Sequence, residues 1–427
     1  MIKAKYLLKQ VKIIDPRSSF NQKVVDVILE DGKVLEIAPK LDAEQAQVIE
    51  GENLHLSLGF VELKANFNDP GNEDRENLKS GCKAALQGGY TAVALSPETN
   101  PCVDSKASVE YLKAFGAQSP VHILPLASFS KGLQGKELSE LYDLQEAGAI
   151  AFSHGTKALG NSALMRLALL YNRELEKPLQ ILSFDESMTA GGQMHEGAKS
   201  TWLGLKGIPD LSETISMSRD IALAEYTESA LHFNGISSAA GLEILQNAQK
   251  KGLPISADVH LMNLLYTDED LDSYDSHLKV FPPLRSKSDR EALIAGLKDG
   301  SLKAISGDHR PRTIEEKRCE FDLAKFGAAS LEGSFAALNS KLQDELGLEK
   351  IIDLLCYGSR DLLGFQSDMS IEIAKEVDLC LYNPDKVWEW DSYHPKSKAA
   401  NYPFSGQQLK GEIIGTYSKG IWSYREA

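Results

Sequence analysis

Gly59-Phe60-Val61-Glu62-Leu63 closes a β-rich N-terminal region and opens a different pattern. It is the first of eight short apolar runs, followed by residues 91–95, 121–127, 149–152, 179–182, 230–233, 254–258 and 303–306. The stretches between them carry a 3.6-residue apolar period, as in residues 74–88 and 242–252, and end on helix-stopping glycines such as Gly88-Gly89 and Gly252. Eight strand–helix units in succession predict a (β/α)8 TIM-type barrel, an α/β fold, over residues 58–365.

On either side the period is shorter. Residues 6–14 are β-rich and stop at Asp15-Pro16, residues 24–30 alternate, and Asp31-Gly32 reads as a hairpin turn before residues 34–37 resume a strand. Residues 377–382 read as a strand ended by a turn at Asn383-Pro384, and residues 411–417 and 420–424 as a terminal pair. Residues 1–57 and 366–427 are therefore expected to build one small β-sandwich domain beside the barrel. Residues 391–408 are polar without a period and are expected to be mobile.

The 427 residues are 42% hydrophobic and 25% charged, with a net charge of -15, so nucleic acid and anionic membranes are disfavoured as partners. No apolar run is long enough to span a bilayer, and Met1-Ile2-Lys3-Ala4-Lys5 does not open a secretory leader, so a cytoplasmic protein is expected. The five scattered cysteines, with no Cys-x-x-Cys, read as free thiols in a reducing compartment.

A set of ordered motifs is more specific. Gly59-Phe60-Val61 with Asp69-Pro70-Gly71, Gly88-Gly89-Tyr90-Thr91, Thr99-Asn100-Pro101, Ser130-Lys131-Gly132, Gly191-Gly192-Gln193-Met194-His195, Pro282-Pro283-Leu284-Arg285, Gly307-Asp308-His309-Arg310-Pro311 and Pro403-Phe404-Ser405-Gly406 run in sequence. Together they resemble the long bacterial dihydroorotases of the cyclic amidohydrolase group. That resemblance implies two divalent metals at the strand ends, a bridging hydroxide that opens a cyclic amide, and an aspartate that shuttles the proton.

The chain departs from this pattern where the chemistry lies. The histidines implied after the first strand are Lys64 and Asn66, and the arginine that follows is Asn68. An implied asparagine is Glu98, which would repel an acidic substrate. The acids after the fourth strand are His154 and Gly155, the next histidine is Ser183, and the strand-six histidine falls at Gly235. An asparagine before Pro282 is Phe281, and a substrate-facing histidine is Arg312. Asp308 alone of the implied set is kept. An ammonium cannot ligate a cation and a carboxamide is a poor zinc ligand.

The expectation is thus a homologue without metal or catalysis, possessing neither zinc nor another cofactor. The resemblance implies aspartate transcarbamoylase as a structural partner and a homodimer as its assembly. The alternatives are an active dihydroorotase-type enzyme with a rearranged zinc site, and a binding module that keeps a pocket at the barrel mouth. Strands one and eight are neighbours in a closed barrel, so Lys64 is expected to pair with Asp308 in place of a metal. His154 is weighed as a metal ligand beside Asp308, and His260, His309 and His195 as structural. The basic stretch 310–318, broken by Glu315 and Glu316, reads as a solvated loop and helix start capped by Thr313.

Overall fold

The computed structural model describes residues 5–425. Eight parallel strands follow one another round a barrel: β1 (Phe60–Ala65), β2 (Tyr90–Leu95), β3 (His122–Ser128), β4 (Ala151–Ser153), β5 (Leu179–Ile181), β6 (Leu231–Phe233), β7 (Ile255–His260) and β8 (Ala304–Ser306). All eight predicted apolar runs fall on these strands. Ala65 bridges His309 in parallel and the Asn66 amide donates to the His309 carbonyl at 2.8 Å, so the chain leaving β1 meets the chain leaving β8.

The barrel interior is uneven. Val61, Leu63, Ala92, Ala94, Leu124, Leu126, Ala151 and Ala304 form one apolar cluster with Leu363, which rises from the helix Ser359–Leu363. That cluster draws on β1 to β4 and β8. On β5 to β7 the inward positions are polar instead, among them Gln180, His232 and Asp258, all buried. The helices pack their apolar faces on the outside of the strands in the larger core. Among the described residues no helix is long and apolar enough to cross a membrane. Cys82, Cys356 and Cys380 are buried free thiols, while Cys102 and Cys319 are partly exposed.

Both ends of the chain enter one eight-stranded sheet, in the order Ile421–Tyr424, Gln408–Ser418, Leu379–Glu389, His55–Leu58, Lys5–Ile13, Val24–Glu30 and Lys33–Ala38, with Gln47–Ile49 alongside Lys5–Ile13. Tyr6 packs on Tyr417 (ring centroids 5.8 Å apart) and Trp422 (6.0 Å), although two and three strands, respectively, separate it from them in the sheet. The sheet therefore folds over on itself as a sandwich does. Asp31 (φ 53°) and Gly32 (φ 79°) make the expected hairpin turn, since both central positions of a type I′ turn need positive φ.

Three expectations are corrected. Asn383-Pro384 does not end a strand: Leu379–Glu389 continues through a register shift, with the Asn383 Oδ1 accepting the amides of Asp385 (3.0 Å) and Lys386 (3.2 Å). Residues 391–408 form an ordered strap, because Trp390, Tyr402 and Phe404 stack and the buried Glu332 carboxylate accepts from Tyr393 Oη (2.9 Å), Tyr402 Oη (2.6 Å) and the Lys396 amide (2.6 Å). The stretch 310–318 is not a solvated segment throughout: Arg310 and Lys317 are buried, the Lys317 Nζ donating to the carbonyls of Lys325 (2.8 Å) and Gly327 (2.9 Å).

Candidate active site

The strand ends converge on a cluster of four charges. Lys64, only 1% exposed, lies with its Nζ 3.4 Å from the Asp308 Oδ1, the pairing expected from the closed barrel. Arg310 Nε donates to both Asp308 oxygens at 3.0 Å, and its Nη2 donates to Glu98 Oε2 at 3.1 Å. Thr156 ties the far side, with its hydroxyl donating to Glu98 and accepting from Arg310 Nη1 at 3.1 Å. The Ser96 hydroxyl adds a bond to Glu98 at 3.0 Å. Two cations and two carboxylates thus neutralise one another within the barrel mouth.

The proton affinities follow. Burial pushes the Asp308 carboxyl up, but Arg310, Lys64 and His260 pull it further down, well below the ordinary carboxylate range. Glu98 behaves likewise: burial raises it, Arg310 and Lys64 outweigh burial, and the group settles at about 2. The sequence-based expectation of Glu98 as a repulsive charge is corrected, because Arg310 absorbs that charge.

Two glycines make room for this arrangement. A side chain at Gly155 would meet the Glu98 Cγ at 2.5 Å, and one at Gly235 would meet the His260 Nε2 at 2.4 Å. Both glycines also sit at positive φ (62° and 66°). The positions where the resemblance implies metal-facing side chains are therefore filled from the side by Glu98 and His260. His260 Nδ1 stands 3.7 Å from Asp308 Oδ2, and burial, the dominant effect, lowers the proton affinity of its imidazole.

The other predicted positions scatter. Asn66 holds β1 against His309 through its backbone, and its buried Oδ1 has no hydrogen-bond partner among the described residues. Asn68 is a turn residue (φ 59°) whose Nδ2 donates to the Asn66 carbonyl at 3.2 Å. His154 is not a free ligand: its Nε2 bonds Ser130 Oγ at 2.9 Å and its Nδ1 bonds the Lys157 carbonyl at 3.0 Å. Ser183 turns to Asp220 at 2.8 Å. His309 Nδ1 accepts the Ser330 amide at 3.0 Å, a structural role, and His195 Nδ1 contacts Arg285 Nη1 at 3.1 Å. Phe281 stacks edge-on to Phe184 (4.7 Å) and Phe326 (5.8 Å), and with Arg312 these rings line a pocket of about 420 Å³ above the cluster.

Sequence reasoning missed three residues. Arg310 was hidden in a run of alternating charges. Asn401, fully buried, anchors that run by accepting the Arg312 amide at 2.8 Å and donating to the carbonyls of Arg310 (2.8 Å) and Gly327 (3.0 Å), but it lies about ninety positions on. Glu62 sits inside β1 as an acid in an apolar run, the one signal that could have marked it. It accepts the amides of Lys64 (3.0 Å) and Gly307 (2.9 Å) and the Ser306 hydroxyl (2.8 Å).

Full burial pushes the Glu62 carboxyl from 4.5 up to about 7, against the pull of its hydrogen bonds. Between those values the folded chain keeps the proton and the unfolded chain does not. Stability is therefore expected to fall as pH rises through that window, by up to roughly 3 kcal/mol. Glu62→Gln, neutral at every pH, should remove this fall. Urea midpoints at pH 5 and pH 8 check it; an equal fall in the variant assigns the slope elsewhere.

The donor set does not fit the metals that the resemblance implies. Among the described residues no three His, Cys, Asp or Glu side chains converge to hold an ion. The lysine and arginine already compensate the two carboxylates that point into the mouth.

A family profile described as "Dihydro-orotase-like" matches residues 55–240. A dihydroorotase of Syntrophus aciditrophicus is 36% identical over 427 residues, covering 99% of this chain and 100% of that protein. A dihydroorotase of a Thermoanaerobacter species is 33% identical, covering 98% and 97%. Among solved structures, the L-hydantoinase of Arthrobacter aurescens superposes with a TM-score of 0.86 at 19% identity, covering 99% of this chain and 96% of that one, a likeness of fold.

Proposed function

The chain belongs to the dihydroorotase family, and from that premise we propose that it is a non-catalytic member, a cytoplasmic dihydroorotase-like protein of pyrimidine biosynthesis that serves aspartate transcarbamoylase as a structural partner. The observation that carries this reading is the occupation of the mouth by Lys64 and Arg310. Asp308, the retained acid, accepts Arg310 on both oxygens, and its proton affinity lies far below what a general base needs near neutral pH. The closed barrel tolerates such a loss, since its packing lies below the strand ends. Homodimerisation belongs to the same proposal.

The purified protein is expected to hold well under one zinc per chain and to show no ring-opening of dihydroorotate. It should co-elute with the transcarbamoylase of the same cell at micromolar concentration; separate elution would count heavily against the partnership. A second reading rests on full-length identity to proteins named dihydroorotase and on Asp308 standing at the mouth. It is an active, zinc-dependent cyclic amidohydrolase with a rearranged site. One or two zinc per chain together with activity would establish it and overturn the first.

A further inference from the structure

The polar side of the barrel interior ends at the floor in an ordered constellation. Ser256 Oγ lies 2.9 Å from His232 Nδ1, and His232 Nε2 lies 3.1 Å from Asp258 Oδ1. The same carboxylate oxygen accepts the Gly235 amide at 3.0 Å and the Asn234 Nδ2 at 3.3 Å, which fixes its position. Burial pushes the Asp258 carboxyl up, but the hydrogen bonds from His232 and the Gly235 amide help hold it below the ordinary range, which favours the carboxylate.

The proton positions can then be deduced. An ionised carboxylate only accepts, so the imidazole hydrogen sits on Nε2. In the neutral ring Nδ1 then presents its lone pair, and Ser256 Oγ–H is the donor to it. That is the protonation state of a hydroxyl poised against a base, with a buried acid orienting the ring. The two ring nitrogens are used in the reverse sense from the familiar serine proteases, but the roles are the same.

Exposure grades in the same direction. Asp258 is fully buried, His232 is 4% exposed, and Ser256 is partly open. Ser256 and His232 both line a cavity of about 610 Å³ at the barrel floor, a volume ordinary for small-molecule sites. Arg173 and Lys177 stand on its wall with Glu176 and Asp361, and Leu179 and Leu231 supply apolar surface. The cations can favour a developing oxyanion. Ser256 is four residues before His260 on β7, about 13 Å along the strand, so the floor is separate from the mouth.

We propose that Ser256, His232 and Asp258 form a nucleophilic relay that accepts small acyl groups from activated esters entering the floor cavity. Oγ bonds to the ester carbonyl carbon while its proton passes to Nδ1. The carbon–oxygen bond to the alcohol breaks, and the alcohol leaves with that proton. Water repeats the sequence to release the carboxylic acid.

The test uses the full chain with a fluorophosphonate probe and with p-nitrophenyl acetate. Peptide mapping is expected to place the label on Ser256, in folded protein only. Ser256→Ala should abolish labelling and lower ester turnover on the order of 10³-fold, and His232→Gln should slow labelling on the order of 10²-fold or more. Ser256→Cys, which keeps the side-chain volume, should move reactivity to iodoacetamide at that position and report that the site folds. No label on Ser256 in folded protein, equal labelling after denaturation, or turnover indifferent to Ser256→Ala would overturn the proposal. None of these outcomes depends on zinc content or on ring-opening at the mouth.

Discussion

Arg310→Met is expected to lower the free energy of unfolding by about 3–5 kcal/mol, because it leaves two buried carboxylates facing a single ammonium. Arg310 supplies both hydrogen bonds to Asp308 and one to Glu98, and both acids are nearly closed to solvent. Lys64→Met should cost less, since Asp308 would keep the Arg310 Nε–H shared between its two oxygens. Adding Glu98→Gln to Arg310→Met should recover part of the loss, as it removes one orphaned charge. Urea unfolding of the single variants and the double variant measures the coupling. A loss under about 1 kcal/mol for Arg310→Met would mean that solvent reaches the cluster and screens it.

The same cluster sets an acid limb. Asp308 and Glu98 have depressed folded-state proton affinities, so the stability they contribute is complete above their ordinary unfolded values, near pH 4 to 4.5. It is lost as pH falls toward the folded values, for Glu98 about 2. The wild-type chain should therefore weaken steeply between pH 4.5 and 2, and Arg310→Met should show a shallower decline. This limb lies below the Glu62 window and runs in the opposite direction, so the two are separable in one pH series.

What the sequence made legible follows the range of the forces involved. The eight barrel strands could be read because each is an apolar run next to a periodic helix, and both signals are local. The Lys64–Asp308 pair could be read because barrel closure places β1 beside β8 whatever the side chains do. Arg310 could not. Its neighbours Arg312, Glu315 and Glu316 make the run look solvated, while the distant Asn401, Glu98 and Thr156 take it inside. The refilling of Gly155 and Gly235 was hidden for a related reason: a glycine announces the lost side chain but not the neighbour that occupies its space. The Ser256–His232–Asp258 relay also escaped notice, because hydrogen bonds across β6 and β7 join residues 24 and 26 positions apart.

The strap over residues 391–408 carries the second large effect. Glu332→Ala is expected to cost about 3–5 kcal/mol, because it strips the acceptor from two tyrosine hydroxyls and a backbone amide, each costing about 1–3 kcal/mol when left unpaired, with some relief from entering water. Glu332 is buried, as are Tyr393 and Tyr402, so that relief is partial. The consequence should not stay local. Glu76, also buried, accepts from Ser397 in the same strap, and Asn401 ties the strap to Arg310 and Arg312. Loosening the strap therefore loosens the segment that presents Arg310 to both acids. Hydrogen exchange should accelerate across 391–408 first and across 308–312 with it, before global unfolding. Tyr393→Phe removes one donor and leaves the carboxylate its other partners, so it should cost about 1 kcal/mol and leave 308–312 protected. If Glu332→Ala frees the strap while exchange at 308–312 is unchanged, the charge cluster is held by the barrel alone and Asn401 is a passenger.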